Sequence, residues 1–124
     1  PYDTPIGSPI RTMVMTEKFY TQKRPLAEKF MRCFVMATKT FIDDKPVAEK
    51  YVRDVMFKGQ ISKEDFVDAI SNSPYSYDIT PEHIQITTDT MAKTGVGRMG
   101  KPPMAKGWVR TDLLDAAKKS LNVL

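Results

Sequence analysis

"PLAEKFMRCFVMATKTFID", residues 25–43, decides the class of fold. Pro25 suits the first position of a helix, where its missing N–H would have lacked a partner anyway. Leu26, Phe30, Phe34, Ala37 and Phe41 recur in steps of three and four, and Met31, Val35 and Ile42 widen the stripe. Glu28, Lys29, Arg32 and Lys39 fall on the other side. This spacing predicts an amphipathic helix with one buried face. Cys33 lies among Phe30, Phe34 and Ala37 at the same spacing and reads as a small core residue rather than a nucleophile.

The same logic extends downstream. A second helix starts at Pro46, with Ala48, Tyr51, Val52, Val55 and Met56 on one face and Gly59 as its stop. "ISKEDFVDAIS" (61–71) reads as a third, capped by Ser62, with Glu64 and Asp65 at the positive end of its dipole and Phe66, Ala69 and Ile70 inward. "TPEHIQITTDTMAKTG" (80–95) is a fourth, with Thr80 as cap and Pro81 at the first position; its β-branched residues weaken it. "TDLLDAAKKSL" (111–121) is the last, with Leu113, Leu114, Ala117 and Leu121 inward.

Upstream, "IRTMVMT" (10–16) alternates Ile10, Thr12, Val14 and Thr16 against Arg11, Met13 and Met15, the pattern of a strand, and "EKFY" after it suits a helical turn. The chain therefore reads as mainly α, with about five helices and one strand near residues 10–16. A lone strand cannot satisfy its own backbone groups, so its sheet is expected from outside these residues.

"GVGRMGKPP" (95–103) places Gly95, Gly97 and Gly100 in the G-x-G-x-x-G spacing of a dinucleotide turn. Such a turn must follow a strand and open a helix. Here the glycines follow a helix and run into prolines. Gly95 reads instead as a left-handed helix cap, 95–107 as a Gly/Pro-rich connecting turn, and Trp108 as a packing anchor for the last helix.

Composition narrows the chemistry further. At 124 residues, 41% hydrophobic and 27% charged, the chain suits one modest globular domain, not a disordered one. No apolar run approaches the roughly 20 residues of a membrane span. "PYDTPIGSPI" lacks the form of a signal peptide. The net charge of +4 comes from basic and acidic residues that mostly alternate; the local basic excesses are "TQKRP" (21–25) and the run Arg98–Arg110, so no nucleic-acid partner is expected. A single cysteine excludes an internal disulfide. His83, the one histidine, has no metal-ligand spacing around it and reads as exposed. There is no G-x-S-x-G elbow. Asp43 with Asp44, and Glu64 with Asp65, are sequence neighbours that diverge on a helix. The residues thus point to no enzyme, no metal and no cofactor. Met13, Met15, Met31, Met36 and Met56 read as core filler, with a Met-rich docking face as the alternative.

"SPYSYD" (73–78) puts Tyr75 and Tyr77 just before the helix that begins at Thr80. Two readings stay open. The hydroxyls and helix N–H groups could hold a small anion or polar ligand, or the rings could cover the edge of the core.

Taken in order, "RTMVMTEKFY", "RPLAEKFMRCFVMATKTFIDD", "KPVAEKYV", "SPYSYDITPEHIQITTDTMAKTGVGRM" and "KPPMAKGWVRTDLLDAA" resemble the C-terminal part of substrate-binding proteins of ABC importers, in the nitrate, sulfonate, taurine and thiamine-precursor group. The resemblance runs from about residue 10 to 122. It implies a portion of an α/β two-lobed periplasmic-binding-protein fold, non-enzymatic, extracytoplasmic, delivering a small polar solute to a membrane permease. Complete members are more than twice as long, so residues 1–124 would be a single C-terminal portion, and its free strand could pair two copies as a dimer. The solute contacts it suggests are Tyr75 and Tyr77, then Thr16 and Glu17, where the expected strand ends. The rival is a small helical protein–protein interaction module using Met- and Phe-rich faces.

Overall fold

The computed structural model describes residues 12–72, 75–98 and 100–123. Among these it is mainly helical, with six α-helices and no strand. The helices are α1 (Glu17–Gln22), α2 (Arg24–Asp43), α3 (Lys45–Lys50), α4 (Lys63–Asn72), α5 (Pro81–Thr94) and α6 (Asp112–Ser120). The sixth, beyond the five expected, is α1, which the sequence had marked only as a turn. Of the expected strand, residues 10 and 11 lie outside the described residues, and 12–16 form no strand. Thr16 instead caps α1. Alternation over so few residues cannot hold a strand without a neighbour to take its hydrogen bonds.

The chain divides into two compact units. One holds the described residues up to Arg24 together with Asp78–Leu113; the other holds Pro25–Tyr77 and Leu114–Leu124.

In the second unit the long helix forms almost where its periodicity placed it, but its face is turned. Ala27, Val35 and Thr38 are buried, with Met31, Phe34 and Phe41 half-buried beside them. Val35 is the largest side chain that is fully buried among the described residues. Leu26 and Phe30 are 52% and 46% exposed, and Ala37 and Cys33 are exposed with them. The expected core position of Cys33 is thus corrected. Successive helical residues are about 100° apart. On that wheel the apolar residues of α2 span an arc wider than half the helix, and only one side of it is covered. Thr38 is tolerated inside because its hydroxyl donates to the Phe34 carbonyl (2.9 Å).

Asp44 caps α3 by accepting from Val47 N–H (3.2 Å), and α3 continues as a π-helical segment, Tyr51–Met56. That widening spoils the expected stripe. Ala48 is buried and Val52 half-buried, but Tyr51, Val55 and Met56 are exposed. Looser i→i+5 winding turns each side chain less far than an α-helix would. Gly59, at φ +78°, ends the segment and donates to the Arg53 carbonyl (2.7 Å). Helix α4 packs on the π-helical segment. Its cap is reciprocal: Ser62 Oγ accepts from Asp65 N–H (3.0 Å), and Asp65 Oδ2 accepts from the Ser62 N–H (3.0 Å) and hydroxyl (2.8 Å). The Ser62 hydroxyl, then its N–H, holds the Asp65 carboxyl below the usual range. Phe66, Leu114, Ala117 and Val123 complete the buried set of this unit.

In the first unit α5 begins with a capping box. Thr80 Oγ1 accepts from His83 N–H (3.3 Å), and His83 Nδ1 accepts from Thr80 N–H (3.2 Å). The histidine expected to be exposed is therefore half-buried and does backbone work. Thr87, Thr88 and Thr90 donate to carbonyls one turn back, which offsets their poor helix propensity. Gly95 ends α5 in the left-handed region (φ +74°), donating to the Ala92 carbonyl (3.3 Å). The connection then makes two 3₁₀ turns, Val96–Arg98 and Ala105–Gly107, both packed on α5. Ala105 is fully buried and donates its N–H to Gln85 Oε1 (2.6 Å).

Two stability tests follow from this packing. Val35→Ala removes the most deeply buried large side chain and is expected to cost about 2 kcal/mol, whereas Leu26→Ala costs under ~0.5 kcal/mol, both read from denaturant midpoints at unchanged slope. Gly95→Ala meets no atom within 4 Å, so its cost is purely conformational, about 1 kcal/mol. Gly100→Ala, with equally open space and no left-handed backbone, is expected to be neutral or stabilising by up to ~1 kcal/mol in the same melts.

Candidate functional site

The most concentrated polar chemistry in the first unit comes from residues far apart in sequence. Thr16 Oγ1 accepts from Phe19 N–H (3.2 Å), and the Thr16 carbonyl accepts from Tyr20 N–H (3.0 Å). That cap starts α1 and fixes Tyr20 one turn in. The Tyr20 hydroxyl lies 2.8 Å from both carboxylate oxygens of Asp112, the first residue of α6. Arg24 reaches the same carboxylate, 2.5 Å from Nη2 to Oδ2. The Arg24 guanidinium also sits 4.8 Å from the centre of the Tyr20 ring, and that of Arg110 sits 5.6 Å from it.

The electrostatics favour a charged Asp112. Partial burial pushes its carboxyl up, but hydrogen bonds from Arg24 and Tyr20, the Arg24 charge and the Leu113 N–H outweigh it and hold the group below the usual carboxylate range. Both carboxylate oxygens are engaged, so Asp112 is a poor proton acceptor for a substrate. Two guanidiniums against one carboxylate leave the group net positive. Its chemistry is that of a clamp on the start of α6, with cationic character outward.

The sequence-expected ligand residues are distributed differently. Thr16 and Glu17 belong to the first unit and Tyr75 and Tyr77 to the second. Thr16 is occupied as a cap. Glu17 is exposed at the first position of α1, and its carbonyl accepts from the Thr21 hydroxyl (2.8 Å). Tyr75 leans on Phe41, ring centres 5.1 Å apart and tilted 56°, while Phe41 meets Tyr51 edge-on at 6.5 Å. Tyr75 still exposes half its surface. Tyr77 is half-buried, with the Lys118 ammonium 5.5 Å over its ring. Nearby, Lys39 pairs with Asp43, whose hydrogen bond and then charge raise the lysine's proton affinity.

Sequence reasoning missed Tyr20, Arg24, Arg110 and Asp112. The one local signal was an acid at the first position of a helix behind Thr111, which suits the dipole. A pairing across 92 residues has no local signature.

Other expectations are corrected on the surface. Trp108 is half exposed, and Met13, Met36 and Met56 are exposed rather than core filler. Among the described residues no three metal-ligating side chains gather, and no helix is long and apolar enough to cross a membrane. The glycines of 95–100 follow α5 and are separated from α6 by the second 3₁₀ turn, which is not the strand–turn–helix order of a dinucleotide site. Compared with known protein families, curated sequences and solved structures, the chain matches none.

The Asp112 clamp carries a pH prediction. A carboxyl depressed in the folded state stabilises the fold above its unfolded value, about 3.9, and that stabilisation is lost as pH falls through the lower folded value. Asp112→Asn should therefore lower Tm at pH 7, with an effect that fades as pH falls below the ordinary carboxylate value of about 3.9, in paired thermal scans. The pair is substantially exposed, so the difference at pH 7 is expected below about 1 kcal/mol.

Proposed function

We propose that this chain is a C-terminal portion of a solute-binding protein serving an ABC importer, an α/β two-lobed protein that hands a small polar solute to a membrane permease outside the cytoplasm. The observation that carries the reading is helix α2. Its apolar arc extends well beyond the part its own unit covers, which suits a helix built to lie between two layers. Each compact unit is assembled from two separate stretches of chain, an interleaving common in two-lobed proteins. Tyr75 and Tyr77 are the side chains proposed to meet solute, with Thr16 and Glu17 following as the resemblance suggests.

A second reading, a helical interaction module, draws on a different surface. Val55, Met56 and Phe57 at the end of the π-helical segment are all exposed. Runs of that kind serve protein partners.

Differential scanning against small anions, sulfonates, amines and pyrimidines separates the two. One class at a hundredfold its Kd is expected to raise Tm by roughly 10 °C, since that occupancy is worth about 2.7 kcal/mol. No shift with any class, together with a Tm raised by a captured protein partner, would favour the module.

A further inference from the structure

The basic excess of the whole chain is concentrated in the last turn of α5 and the connection that leads to α6. Between Asp89 and Asp112 there are five basic residues, Lys93, Arg98, Lys101, Lys106 and Arg110, and no acidic one. The chain has 19 basic and 15 acidic residues, so the remainder, 14 against 15, is essentially balanced. All five basic side chains are exposed. Interleaved with them are three large apolar side chains that the fold also leaves in water: Val96 at 55%, Met104 at 71% and Trp108 at 50% exposure.

The exposure is imposed by anchoring. Ala105 is buried and tied to Gln85, and Gly107 donates to the Met104 carbonyl to close a tight turn. With Ala105 pointing in, its neighbours Met104, Lys106 and Trp108 are held outward. Besides Asp112 in the Tyr20 cluster, Glu82 is an acid that meets this surface, through Lys106. Its carboxyl is held low by its own backbone N–H, then by the Thr80 hydroxyl, with Lys106 and His83 adding smaller effects.

We infer that the α5–α6 connection is a docking surface for a bilayer rich in anionic lipid headgroups. Lysines and arginines meet the headgroup charge, and Trp108, Met104 and Val96 enter the boundary between headgroups and acyl chains. The surface fits lipid better than nucleic acid. It is an irregular connection with one aromatic ring, offering no row of stacking planes and no helix or strand to enter a groove.

Trp108 is the chain's only tryptophan, so it reports on its own insertion. The full chain is mixed with vesicles of phosphatidylcholine alone, or of phosphatidylcholine and phosphatidylglycerol in equal parts, then sedimented, and Trp108 emission is recorded. Co-sedimentation with the mixed vesicles only, with a blue-shifted emission, is expected. Raising salt to about 0.5 M should release the chain, because screening shortens the reach of each charge. The triple variant R98Q/K101Q/K106Q, checked for unchanged helicity, should partition roughly a hundredfold more weakly, since each basic residue contributes about fivefold. Failure to sediment with the mixed vesicles, sedimentation without an emission shift, or tighter binding to single-stranded RNA than to vesicles would overturn the inference. The salt response of the unaltered chain keeps the test independent of how the variant folds.

Discussion

Helix α2 buries Ala27, Val35 and Thr38 along one line, and the unit built from Pro25–Tyr77 and Leu114–Leu124 depends on that burial. Withdrawing a side chain of this size from water contributes about 1.5–3 kcal/mol. Few other side chains in the unit are both large and deeply buried: three of its eight buried residues are alanines and one is Thr38, with Phe66, Leu114 and Val123 the bulkier members beside Val35. A core this lean gives Val35 a large share of the stabilisation. The rest of the apolar arc, Leu26, Phe30, Cys33 and Ala37, remains in water. That imbalance ties the fold to the proposed function, since a helix apolar on two sides is suited to a place between layers.

Around that helix, order comes from backbone chemistry at element ends. Ser62 with Asp65 and Thr80 with His83 each satisfy two N–H groups that a helix start leaves without partners. Gly95 closes α5 in a conformation that other residues adopt at a cost. The Gln85–Ala105 bond then pins the following segment against α5. These local devices place the start of α6, where Asp112 meets Tyr20 and Arg24. They also decide which side chains of the connection face water. A connection fixed at Ala105 cannot retract Met104, Lys106 and Trp108 together.

Local signals were legible in the sequence, and long-range ones were not. Pro25 and the three-and-four spacing located α2 to within a residue at its start, and Ser62, Thr80 and Gly95 were readable as caps because capping is a matter of neighbours. The inward residues of α6, Leu113, Leu114 and Ala117, were readable for the same reason. Which half of α2 is covered was not. Periodicity defines an apolar arc, and when the arc exceeds half the circumference it does not say where the neighbours sit. The π-helical winding of Tyr51–Met56 has no propensity signature, so its effect on Val55 and Met56 was hidden. The alternation at 12–16 mimicked a strand, yet Thr16 found its use as a cap. Of the polar cluster, Asp112 alone stood at a recognisable position; Tyr20, Arg24 and Arg110 join it only through the fold.

The orientation of α2 is tested most directly at Cys33, the chain's single thiol, which sits two residues from Val35 on the uncovered side. The rate of its reaction with a neutral thiol reagent, compared between the folded and the denatured chain, reads that orientation. The account predicts rates within a few-fold of each other under native conditions. Protection by orders of magnitude in the folded chain would contradict it, because Cys33 would then lie in the core and the covered side of α2 would have to be redrawn.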